Sequence, residues 1–114
     1  MKLKFISGTA LTISAALFVS AASAAEIDAE AAKKLAKRND CFKCHAVDKT
    51  KKGPSYKSIA IKYKGKTDAE ATLIKQITTA PKVKLDDGTE EEHKIIDTKD
   101  QNEMKNLVGW ILSL

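Results

Sequence analysis

Apolar residues obey one rule at the start of this 114-residue chain and another along the rest of it. From Phe5 to Val19 they form an almost continuous run broken only by small residues, behind Lys2 and Lys4 and ahead of Ala22-Ser23-Ala24. A positive start, an apolar stretch and a small-x-small site make up a secretory signal peptide. The run is about 15 residues, short of the roughly 20 that a spanning helix needs. The expectation is a leader over residues 1–24, cleaved after Ala24 (Ala25 being the alternative), with residues 25–114 as one domain and no stable membrane insertion after cleavage.

Beyond the leader the spacing is helical. Asp28 is placed to cap a helix running to Arg38, with Ala31, Ala32, Leu35 and Ala36 on one face. Residues 46–54 are polar and Lys-rich and close on Gly53-Pro54, a turn signal. Ser55 can cap a short helix whose inner face is Tyr56, Ile59, Ala60 and Tyr63, stopped by Gly65. A third helix begins at Thr67 or Asp68, carries Leu73, Ile74 and Ile77, and ends before Pro81. Residues 80–97 lack helical periodicity and read as one long loop. Thr98 with Gln101 fits a capping box for a last helix. Met104, Leu107, Val108, Ile111 and Leu112 mark its buried face. Gly109 is costly there unless something packs close. The pattern predicts an all-α domain of about four helices, with the first and last crossing near Leu35 or Ala32 and the Leu107–Ile111 surface.

Charge changes the picture through its distribution. Formal net charge is +5, yet residues 26–84 hold 15 Lys/Arg against 7 Asp/Glu and residues 85–114 hold 3 against 8. Such segregation makes a molecular dipole that can steer an acidic partner. Nucleic acid is not an expected partner, because export and the lack of interleaved aromatics both argue against it. A domain of this length buries little surface and gains from a covalent or metal staple.

The chemistry sits in Cys41-Phe42-Lys43-Cys44-His45. Cys-x-x-Cys-His is the attachment signature of c-type haem. Two thiols at that spacing reach the two vinyl groups of the porphyrin, and the adjacent His45 is carried under the iron. Three rivals use the same residues. A dithiol redox motif normally sits in a βαβ pattern that is absent here. A zinc site from Cys41, Cys44, His45 and His93 would need two adjacent ligands in one tetrahedral cage. A plain disulfide leaves His45 without a role. One covalent haem c is the expected cofactor.

With that motif, Gly53-Pro54-Ser55-Tyr56, the helix order and Trp110 in the last helix, the chain resembles the small bacterial class I monohaem cytochromes c over nearly all of residues 25–114. The resemblance implies that fold, and it implies that the Pro54 carbonyl accepts a hydrogen bond from the ring of His45. It also implies a Met in the distal loop, and here the chain departs: no Met lies between Met1 and Met104. His93 falls near the vacant position and is the expected distal ligand. Met104, at core spacing, is the less favoured candidate, and an open or water-bound site is the third.

The functional expectation is a periplasmic one-electron carrier with a bis-histidine haem of lowered potential. No acid–base pair, nucleophile elbow or phosphate loop suggests an enzyme. Lys43, Lys49, Lys51 and Lys52 are candidates for docking an acidic redox partner, which can include a larger dehydrogenase that holds the chain as a subunit. The alternative is a ligand-responsive haem protein, a gas sensor or weak peroxidase, whose distal His is displaceable.

Overall fold

The computed structural model describes residues 2–3, 8, 14–18 and 26–114; the leader expected over residues 1–24 falls largely outside the described residues. Asp28 opens the first helix, α1 (Ala29–Arg38), its carboxylate accepting from the Ala31 N–H. Ala32, Leu35 and Ala36 are its buried residues. Lys37 and Arg38 fall in the last turn, where positive charge complements the helix dipole.

The last helix, α4 (Gln101–Leu112), buries Met104, Leu107, Val108, Trp110 and Ile111 and makes its largest helix contact with α1. Two features set that crossing. Asn106 exchanges a pair of 2.8 Å hydrogen bonds with the Asp28 backbone, accepting from its N–H and donating to its carbonyl. A Cβ at Gly109 would lie 2.5 Å from Ile27 Cδ1, so the glycine makes room for the side chain that leads into α1. The α4 cap differs from expectation. Asp100, not Thr98, occupies it and accepts from the Asn102 N–H at 2.8 Å. Thr98 instead accepts from the Asp100 N–H and donates to the Glu103 carboxylate.

Between these helices lie α2 (Tyr56–Tyr63) and α3 (Ala69–Thr78). Ser55 caps α2 through the Ser58 N–H, and Tyr56 and Ala60 are buried. α3 has no side-chain cap. It closes at Thr79, and Ala80 then takes a left-handed φ of 50° ahead of Pro81, a conformation that costs a non-glycine residue roughly 1–2 kcal/mol.

The stretch from 80 to 97 is more ordered than its lack of periodicity suggested. Strands β1 (Lys82–Lys84) and β2 (Glu90–Glu92) pair antiparallel, with Lys82 opposite Glu92, Val83 opposite Glu91 and Lys84 opposite Glu90. This hairpin has no apolar face. Its register sets lysine opposite glutamate at both ends, and the turn is closed by Gly88 at φ 87° and by Asp87, which accepts from both the N–H and hydroxyl of Thr89. Among the described residues no helix is long and apolar enough to cross a membrane. The architecture is four helices around one core, with this small hairpin as its only sheet among the described residues.

Candidate functional site

The chain leaves α1 through Asn39 and Asp40, the latter at φ 57°, and turns at once into a single tight coil. Residues Cys41–Lys43 form a 3-10 turn, extended by bonds from the Cys44 and His45 N–H groups to the Cys41 carbonyl at 3.2 and 2.9 Å. Residues three and four apart on such a coil share a side. That is why the motif spacing gathers Cys41, Cys44 and His45 together. Both cysteines are free and half-buried. Burial pushes the Cys41 thiol up from its ordinary value, although a bond with Tyr56 pulls the other way.

The loop over residues 46–54 folds back under His45. The Gly53 N–H donates to the Cys44 carbonyl at 2.8 Å, and His45 Nδ1 lies 2.7 Å from the Pro54 carbonyl. Only the protonated Nδ1 can donate there, which leaves Nε2 with its lone pair. Gly53 is required by space: an added Cβ would sit 2.9 Å from Cε1 and 3.2 Å from Nδ1 of His45. Burial lowers the His45 pKa most, the Pro54 bond opposes it, and nearby His93 lowers it further. Burial and the neighbouring ring thus both disfavour the charged imidazole.

Behind it lies an aromatic wall. Tyr56 stacks on His45 at 5.2 Å between ring centres and 18° between planes. Its other contacts are edge-on, with Trp110 at 5.6 Å and Phe42 at 6.0 Å. Burial, followed by the two sulfurs, drives the Tyr56 hydroxyl far above its usual range, so it stays protonated. Such packing removes most of the freedom of the His45 ring.

His93 faces this arrangement from the end of the hairpin. Its N–H donates to the Pro81 carbonyl and its Nδ1 lies 2.9 Å from the Lys94 carbonyl. Again Nε2 is the nitrogen left with a lone pair. The His45 and His93 rings are 6.2 Å apart at 44°. Metal–imidazole bonds of about 2 Å on either side, plus roughly 1 Å from each nitrogen to its ring centre, give about 6 Å for two imidazoles on one ion. The donor set therefore fits a haem iron: two imidazoles at that spacing, each with Nδ1 against a backbone carbonyl, and two thiols in the same coil as the first. Among the described residues no cluster of three or more His, Cys, Asp and Glu side chains is arranged to hold a metal ion by itself, so the tetrahedral zinc set is not assembled.

Met104 is a core residue, 3% exposed in the same cluster as Leu35, Tyr56 and Trp110. Of the candidate docking lysines, Lys43 is 3.5 Å from Asp40 and Lys51 donates to the Phe42 carbonyl at 2.6 Å, while Lys49 and Lys52 are exposed.

Sequence reasoning passed over three participants: Tyr56 as a stacking partner, and Asn39 and Asp97. Asn39 is buried and Asp97 accepts from it and from Arg38. Those bonds, Arg38 first, hold the Asp97 carboxyl below its ordinary range. A depressed folded pKa contributes stability above the unfolded value and loses it as pH falls through the folded one, so this cluster weakens only in acid. Nothing in the residue pattern signals it, since its members are 58 and 59 positions apart.

The family model described as Cytochrome c matches residues 29–114. Among curated proteins, cytochrome c-552 of Nitrosomonas europaea is 35% identical over 97 residues, covering 75% of this chain and 81% of that protein. Cytochrome c-551 of Pseudomonas aeruginosa is 44% identical over a shorter stretch of 43 residues, 38% of this chain and 41% of that protein. Among solved structures, the class 1 cytochrome MtoD from Sideroxydans lithotrophicus ES-1 superposes with a TM-score of 0.74 at 58% identity, covering 77% of this chain and 97% of that one.

Proposed function

The chain belongs to the cytochrome c family, whose members carry covalent haem c and transfer electrons, and on that premise we propose a one-electron carrier with His45 and His93 as its two axial ligands. Cys41 and Cys44 supply the thioether bonds. The observation that carries the reading is the pair of imidazoles 6.2 Å apart, each with Nδ1 against a backbone carbonyl and Nε2 left to bind.

The haem supplies the one-electron ferric–ferrous couple, and the residues around it tune and protect that couple. The Pro54 carbonyl fixes the tautomer of His45 and makes its ring a stronger donor. Gly53 leaves the ring room, and Tyr56, itself braced by Trp110, keeps it from tilting. A bis-histidine pair gives a lower potential than a histidine–methionine pair. The anchoring of His93 by the Pro81 carbonyl, and of Ile96 by the Ile77 carbonyl, favours a carrier over a ligand-responsive protein, because a displaceable ligand needs a loose segment.

Residues 1–24 act as an export leader in this proposal, which places the carrier in the periplasm. The exposed Lys49 and Lys52, with weaker help from Lys43 and Lys51, face an acidic redox partner, and exposed charges of this kind act mainly on encounter rates.

Absorption and EPR spectra of the purified ferric protein test the ligand assignment. A low-spin spectrum without the far-red charge-transfer band of methionine–iron bonding is expected. Presence of that band sinks the assignment.

A further inference from the structure

The segment bearing His93 is tied back to the first helix by a polar cluster that contains neither imidazole. Asn39, 2% exposed, donates from Nδ2 to the Leu35 carbonyl and to Asp97 Oδ1, both at 3.0 Å. Its Oδ1 accepts from the Asp97 N–H at 2.9 Å. Arg38 completes the set, with Nε 2.9 Å from Asp97 Oδ2 and Nη2 3.1 Å from Oδ1. Every polar atom of the Asn39 side chain is engaged, and so are both carboxylate oxygens of Asp97.

Position in the chain gives the cluster its meaning. Asn39 stands two residues before Cys41, and Asp97 stands four residues after His93. The bonds of His93 to Pro81 and of Ile96 to Ile77 hold the segment to the α3 side. A bond from the Asp86 N–H to the Lys52 carbonyl holds the far end of the hairpin. Asn39 and Arg38 supply what those do not, a grip from the cysteine-bearing side on the part of the chain just beyond His93. Charge-assisted bonds to a buried amide and a forked guanidinium are stronger than neutral ones, and the half-exposed Arg38 contributes less than the buried Asn39.

Resting on the bis-histidine reading, we infer that Asp97, held by Asn39 and Arg38, is the positioning residue that keeps His93 on the iron and sets how readily the sixth coordination place opens to an outside ligand. Opening His93 requires local release of residues 93–97, and Asp97 is the polar anchor of that release. The cluster therefore acts on the rate of opening without touching the iron.

The test is stopped-flow binding of carbon monoxide to the ferrous holoprotein at rising gas concentration. In the wild type the rate should reach a plateau set by departure of His93. Asp97→Ala should raise that plateau by about tenfold or more, the effect of losing charged hydrogen bonds, with Arg38→Leu giving a smaller rise in the same direction. Asn106→Ala is the control, since it cuts two bonds between α1 and α4 and leaves the cluster whole. A plateau in Asp97→Ala within about twofold of wild type overturns the inference. An equal rise in Asn106→Ala, at matched loss of Tm, also overturns it by making the effect one of general destabilisation. Failure of the ligand reading looks different: the wild type would show no plateau and would bind carbon monoxide as fast as His93→Ala does, and the inference would fall with it.

Discussion

The two sides of the proposed haem site are built by different means. On the His45 side every participant lies between Cys41 and Tyr56 except Trp110, and the bonds that shape it join residues at most ten apart. On the His93 side the shaping bonds run to Lys52, Ile77, Pro81, Arg38 and Asn39, the last two nearly sixty positions away. One side is a local motif that any surrounding fold can present. The other exists only once α1, α3 and the hairpin have come together. A motif can be recognised from spacing, whereas a ligand held by tertiary contacts leaves no local signature, and His93 is proposed from the lack of a distal Met and from its placement near His45.

That contrast can be broken most sharply by replacing His93 with Met. If the distal side only delivers a donor atom to a fixed place, His93→Met should raise the potential by on the order of 100 mV, within the roughly 0.8 V that axial ligands command, and should add the far-red methionine band. Protein-film voltammetry and the ferric spectrum report both. An unchanged potential would mean that position 93 does not reach the iron.

The proximal side should resist change at a glycine. Gly53→Ala drives a methyl into Cε1 of a ring fixed by Pro54 and Tyr56, so a loss of about 1–3 kcal/mol is expected from overpacking, with a disturbed axial-ligand spectrum. Gly109→Ala is the matched comparison. There the clash is with the tip of the flexible, 40% exposed Ile27, which can swing aside, and removing a helix glycine returns roughly 1 kcal/mol. Its net change in thermal stability should be small and its spectrum untouched. Equal losses at the two glycines would remove the distinction.

The smallest effect belongs to the hairpin. Glu90→Lys with Glu92→Lys places like charges opposite Lys84 and Lys82, at about 0.2–1 kcal/mol per pair. A modest fall in Tm that shrinks as salt rises is expected, with the low-spin spectrum retained. A salt-independent loss would show that these pairs are not what orders β1 and β2.

How much was legible follows from the same division. Four helices could be read because Leu35, Tyr56, Ile77 and Leu107 sit on apolar stripes of helical period, and because Asp28 and Ser55 are side-chain caps of the usual kind. The haem follows from five residues in a row, and the family from those with Gly53-Pro54-Ser55-Tyr56, the helix order and Trp110. The hairpin was hidden because Lys-Val-Lys facing Glu-Glu-Glu has no apolar alternation; Asp87-Gly88 was the one turn signal that pointed to it. The α4 cap moved because Thr98, Asp100 and Asp97 all have capping chemistry, and a choice among them is made by the neighbours rather than by the helix. Asn39 stands just past the end of α1, where a polar residue draws no notice. Its partner is chosen by the fold.

The span between Asn39 and Asp97 also sets an order of assembly. The coil from Cys41 to His45 closes within one turn, while the Asn39–Asp97 bond must close a span of 58 residues. The entropy lost on closure grows with span, so the thiols and proximal imidazole can be in place while the opposite wall is still open. A porphyrin can then be received from the side that is sealed last.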